Sequence, residues 1–211
     1  FLVEAGAAGH AVPRDFQKRL LAYVRGLLDK AGDSGELLES QAYAAYVLAL
    51  AGKPDRSFMS RLGELTRSRA GAGDETAIRA QARLYLAMAW LAAGRRDTAA
   101  EYLPAAIPPL RSIRQGAGNV GSPVRDRAMY LNTLLTIQPD DPSIPSLAAQ
   151  LAAEKWQTTQ EIAFAAMATG KYLRQIRDVE PYDHADLQLD GRAIATTFTT
   201  HAPAHKLEAS I

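Results

Sequence analysis

Gln41-Ala-Tyr43-Ala-Ala-Tyr46-Val-Leu-Ala-Leu-Ala-Gly52-Lys53-Pro54 is the stretch whose reading decides the fold. Apolar and small residues follow one another on almost every face of a helix, Gly52 stands where helices end, and Pro54 cannot continue one. A second copy follows as Gln81-Ala-Arg-Leu-Tyr85-Leu-Ala-Met-Ala-Trp90-Leu-Ala-Ala-Gly94-Arg95. From Gln41 to Gln81 is 40 residues and from Gly52 to Gly94 is 42, a spacing that suits two helices and two turns. Looser copies are Arg127 to Ile137, halted by Pro139, and Thr159 through Gly170 to Leu173. All four read as inner helices surrounded by others.

Between them lie segments with one apolar stripe each: Phe16, Leu20, Val24 and Leu27; Phe58, Leu62 and Leu65; Leu103, Ile107 and Leu110; Ile144, Leu147 and Leu151. Their remaining faces are charged, so these are outer helices. Pro13 suits a first helical turn, while Asp55 and Asp97 suit N-caps. The chain therefore reads as mainly α, a stack of inner–outer helical hairpins that forms either an open solenoid or an α/α toroid.

After about Ile176 the pattern becomes Leu187-Gln-Leu-Asp190-Gly191-Arg-Ala-Ile194-Ala-Thr-Thr-Phe-Thr-Thr200, an Asp-Gly hairpin signal in a strand-favouring run. A lone hairpin is rarely stable, so these strands are expected to join a β domain completed elsewhere or to pack on the helical body. The division is thus a helical unit over 1–176 and a linker with β strands over 177–211. Phe1, not Met, opens an apolar stretch without a leader pattern, and further sequence is expected before it.

Composition excludes several function classes. Of 211 residues, 24 are Lys or Arg and 23 are Asp or Glu, and the basic residues are scattered, which argues against nucleic acid. The lack of cysteine rules out a thiolate metal site and a cysteine nucleophile within the chain. No apolar run approaches the roughly 18–20 residues of a membrane-spanning helix. The loop from Arg114 to Pro123 is Gly-rich but lacks the strand before it and the Lys-Ser/Thr ending of a phosphate loop.

Candidate site residues read as structural. Asp140-Asp141, between Pro139 and Pro142, is a turn with solvated charges. His184 lies between Asp183 and Asp186, with His201 and His205 farther on; these and His10 read as surface residues. No Gly-x-Ser-x-Gly elbow occurs, and no histidine stands between His10 and His184 to assist a serine. Glu39 and Glu161 fall at starts of inner helices, where the macrodipole favours acids. Tyr43, Tyr46, Tyr85, Trp90, Tyr130 and Phe164 read as core, with a binding groove as the alternative. No catalytic, metal or cofactor site is expected, and the chain is not expected to be an enzyme.

Trp156-Gln-Thr-Thr-Gln-Glu-Ile-Ala-Phe-Ala-Ala-Met-Ala168 resembles the Trp-x-x-Thr-Gln-x-x-x-x-Ala signature of the helical thioester domain in α2-macroglobulins and complement-type proteins. Phe1 to Pro13, Gln41 to Lys53, Gln81 to Arg95 and Arg125 to Leu131 are similar to segments of bacterial members. The resemblance covers residues 1 to about 176. It implies an α/α-toroid fragment followed by strands of a CUB-like domain, in a periplasmic or extracellular endopeptidase inhibitor that entraps proteases and is held to the membrane, if at all, through a region before Phe1. Its partners would be neighbouring domains and target proteases. The family's Cys-x-x-Gln thioester motif has no counterpart in this chain. The rival reading is a tetratricopeptide or HEAT-type protein-binding module; the observed spacing exceeds about 34 residues and falls in the HEAT range of about 40–47.

Overall fold

The computed structural model describes residues 2–7, 9–30, 35–67, 74–106, 115–116, 119–120, 122–177, 187–189 and 192–194. Among these the chain is mainly helical: α1 Leu2–Ala7, α2 Arg14–Leu28, α3 Gly35–Leu50, α4 Arg56–Arg67, α5 Asp74–Ala92, α6 Arg96–Tyr102, α7 Pro123–Ile137, α8 Ile144–Ala153 and α9 Thr159–Arg177. Inner helices α3, α5, α7 and α9 pack side by side in chain order. Outer helices α2, α4, α6 and α8 each pack against the inner helices that precede or follow them. The core lies between the layers, where Met59, Leu62, Leu84, Leu86, Met129, Leu131, Leu134 and Leu151 are fully buried.

Local signals explain most helix ends. Asp55 caps α4, its Oδ1 accepting from the Phe58 amide at 3.0 Å, and it pairs with Arg25 at 2.9 Å. That amide and the Arg25 guanidinium hold its carboxyl below the ordinary range. Gly52 and Gly94, at φ 74° and 75°, close α3 and α5 in the left-handed conformation. In each case the glycine amide donates three residues back and the next amide five residues back, Lys53 to Leu48 at 2.8 Å and Arg95 to Trp90 at 2.9 Å. A Cβ at either glycine would meet nothing within 4 Å, so the cost of a side chain there is backbone strain alone. Gly52→Ala and Gly94→Ala are each expected to lose about 1 kcal/mol in urea denaturation.

Three expectations need correction. Asp97 is not an N-cap: α6 starts at Arg96, the cap position is Arg95, and Asp97 sits in the first turn, where it meets the helix dipole. Pro13 stands at the cap of α2 with extended ψ 109°, whereas Pro123 occupies the first turn of α7. The outer helix placed on Leu103, Ile107 and Leu110 is instead Arg96–Tyr102; Pro104 forces Leu103 out of helical ψ to 120°, and residues 107–110 lie outside the described residues.

The inner helices are not all alike. α5 is buried on nearly every side, but α9 leaves Ile162, Met167, Leu173 and Ile176 exposed. Gly170 does not end its helix, which continues to Arg177. In the Gly-rich loop, Gln115–Gly116 pairs antiparallel with Asn119–Val120. Beyond α9, Leu187–Leu189 pairs antiparallel with Arg192–Ile194, Leu187 opposite Ile194. Among the described residues no helix is long and apolar enough to cross a membrane.

Candidate functional site

Among the described residues, a buried polar cluster is built where α7 begins. Ser122, in extended conformation, caps this helix by accepting the Arg125 amide at 3.2 Å, and Pro123 sets the first turn. Arg125 thereby projects among three inner helices. Its Nε and Nη2 donate to Asp126 Oδ1 at 3.1 and 3.0 Å, its Nη1 to Gln160 Oε1 on α9 at 3.3 Å, and its Nη2 to the Tyr85 hydroxyl on α5 at 3.4 Å. The Arg125 and Asp126 side chains are only 13% and 7% exposed. Tyr43 of α3 completes the cluster, its ring edge-on to Tyr85 at 5.0 Å.

Burial sets the electrostatics. It pushes the Asp126 carboxyl up against the lowering pull of Arg125, and it raises the Tyr85 phenol, with Arg125 opposing and Asp126 adding. A buried carboxylate of raised pKa is the usual mark of a general acid. Here its Oδ1 accepts both bonds from the neighbouring guanidinium on the same helix, and Arg125, so paired, acts as a clamp from α7 to α5 and α9. Gln81, one turn before Tyr85, is buried with its amide against that hydroxyl but outside hydrogen-bond geometry.

Next to the clamp, Glu161 joins two helix starts. Its Oε2 accepts from the Gln157 and Thr158 amides at 2.8 and 2.9 Å, while Thr158 Oγ1 accepts the Glu161 amide at 3.2 Å, a reciprocal capping box. Its Oε1 accepts from the Ser122 hydroxyl, so the caps of α7 and α9 are tied together. The Ser122 bond first, and the two amides and Thr158 with it, hold the carboxyl below the ordinary range although burial pushes the other way. Trp156 Nε1 donates to Leu151 O at 3.0 Å and closes α8. The Trp156–Glu161 segment is thus a joint between an outer and an inner helix.

The other singled-out residues separate by position. Asp141 accepts the Ser143 amide at 2.9 Å and its hydroxyl at 2.5 Å, which lowers its pKa; with Asp140 it forms an exposed turn. Glu39 lies in the first half of α3 and is not part of a metal cluster; among the described residues no group of three or more metal-ligating side chains occurs. His10 is exposed and its amide closes α1 on Ala5 O at 3.0 Å. His184, His201 and His205 lie outside the described residues.

The aromatics divide between the two readings given to them. Tyr85, Trp90 and Tyr130 are core. Tyr43, Tyr46 and Phe164 line a cavity with residues of α1 and α2. Asp126 is the buried charged residue of this cluster that sequence reasoning passed over; adjacency to Arg125 is its only local signal, and its burial follows from the packing of α7 with α5 and α9. No protein-family model matches this chain, and neither a curated protein nor a solved structure matches it.

Proposed function

We propose that the chain is the larger part of an α/α-toroid, thioester-type domain of a bacterial α2-macroglobulin-like endopeptidase inhibitor, followed by the first strands of a CUB-like domain. The observation that carries this reading is the cavity shared by Phe164 of α9 with Tyr43 and Tyr46 of α3. The last inner helix of the described stack thereby approaches the first, which favours a curved, ring-like arrangement over a straight solenoid. The resemblance at Trp156 to Ala168 supplies the family.

In this reading the chain performs no chemistry itself. The described residues offer clamped charges and capped helix ends, the Ser122 hydroxyl on Glu161 among them serving as the cap of α7, and the helical body serves as a rigid element that moves as a unit when the inhibitor is cleaved. The protein would work in the periplasm or outside the cell. The test uses the longer protein that carries this sequence, incubated with a broad-specificity endopeptidase. Cleavage of a large protein substrate is expected to fall sharply while hydrolysis of a small chromogenic peptide persists. Equal activity on the large substrate with and without the protein would sink the inhibitor reading. The spacing of 40 and 42 residues keeps a HEAT-type binding module as the second reading, which such a negative result would favour.

A further inference from the structure

We propose that the cleft between the α7–α8 turn and the last turns of α9 binds a basic side chain, the ammonium or guanidinium of a lysine or arginine on a partner polypeptide. The inference does not depend on the inhibitor reading. The cleft has a volume of about 470 Å³, within the range of about 300–1,000 Å³ common to ligand pockets.

Its lining is apolar with charge of one sign. Pro139, Pro142 and Pro145 form the wall on the turn side, and Tyr172 forms the wall on the α9 side. The carboxylates that line it are those of Asp140 and Asp141, and no Lys or Arg lines it beside them. Lys171, next to Tyr172, is directed elsewhere: its amine donates to Asn132 O at 2.9 Å and to the Thr136 hydroxyl on α7. The cleft therefore repels anions and attracts cations.

The walls are also preformed. The turn is closed by the Asp141 amide on Gln138 O and the Ile144 amide on Asp141 O, each at 3.1 Å, and Ile144 is anchored in the core. Asp141 Oδ1 is held by the Ser143 amide at 2.9 Å. On the facing side Gln175 Nε2 donates to Leu135 O at 3.2 Å, which fixes this end of α9 against α7. Proline adds a locked φ at each of its positions, so little ordering cost falls on binding.

The form of the cation follows from these walls. Among the described residues no group of three or more side chains could hold a metal ion, and a bare ion would leave the apolar walls unfilled. A lysine or arginine matches both parts of the cleft. Its methylene stem covers proline and isoleucine, and its head reaches the carboxylates beside an aromatic residue.

The test uses the whole chain, with isoleucine methyl groups observed by NMR. The peptide acetyl-Gly-Arg-Gly-amide is expected to shift the signals of Ile144 and Ile176, which both line the cleft, in a saturable way. The peptide acetyl-Gly-Leu-Gly-amide is expected to leave them in place. Raising the salt from about 0.05 to about 0.5 M is expected to weaken the arginine response at least about threefold, because the carboxylates face solvent. Asp140→Asn should weaken it about threefold and Asp140→Lys about tenfold or more, with the melting temperature of either variant close to that of wild type. An equal shift with the leucine peptide, no shift with the arginine peptide, indifference to salt, or Asp140→Lys binding as well as wild type would each overturn the site. Binding of hexylammonium without binding of the arginine peptide would overturn the polypeptide as its source.

Discussion

Gly63→Ala is expected to destabilise the protein by about 2 kcal/mol, a fall of about 4–8 °C in melting temperature, although alanine is the better helix former. Gly63 lies within α4, where a glycine normally weakens a helix by about 1 kcal/mol. It is needed because Tyr102 of α6 lies against it: a Cβ there would stand 2.5 Å from the ring Cε1 and 2.6 Å from Cζ. The ring cannot swing aside. It stacks on Trp90 with centroids 6.5 Å apart and the Arg67 guanidinium sits 4.6 Å over its centroid. Removing the obstacle reverses the sign: in a Tyr102→Ala background, Gly63→Ala is expected to stabilise by about 1 kcal/mol. Chemical denaturation of the four members of this cycle checks the pair, and a Gly63→Ala cost that persists without the ring would show that the contact is not its cause.

Glu161→Ala is expected to cost about 3 kcal/mol at pH 7, because three donors, the Ser122 hydroxyl and the Gln157 and Thr158 amides, lose a charged acceptor in a site only 9% exposed. The loss would fall on the junction of α7 with α9 and leave the α3 and α5 pair formed. Glu161→Gln keeps the shape and one acceptor and should cost less, about 1 kcal/mol.

The pH dependence has a definite sign. The native state lowers the carboxyl pKa from its ordinary 4.5, so it binds fewer protons than the unfolded chain. The resulting stability is present above pH 4.5 and is lost as pH falls through the depressed native value. Asp55 and Asp141 are lowered too and contribute in the same direction. The difference between wild type and Glu161→Gln isolates Glu161: it should shrink in urea titrations taken from pH 7 to pH 3. A constant difference would mean the joint does not depend on the ionised carboxylate.

Much of the helical architecture is legible in residue order because helix ends are local events. Asp55 reaches an amide three residues on, Thr158 and Glu161 satisfy each other across the same interval, and Gly52 and Gly94 terminate their helices with bonds no longer than five residues. The same locality explains an error. The apolar stripe on Leu103, Ile107 and Leu110 reads as a helix, but Pro104 restricts its neighbour and the helix ends at Tyr102.

The sequence by itself determined a mainly helical chain, the places where α3 and α5 stop, and the alternation of inner and outer helices, since periodicity and capping depend on neighbours within a turn or two. Only the tertiary structure decided what the inner helices share. Arg125 meets Tyr85 across 40 residues and Gln160 across 35, and Ser122 meets Glu161 across 39. It also decided that Gly63 is a contact point and that α9 keeps an apolar face uncovered. Such features depend on which distant segments packing brings together, and no local pattern in Gln41 to Pro54 or its copies encodes that.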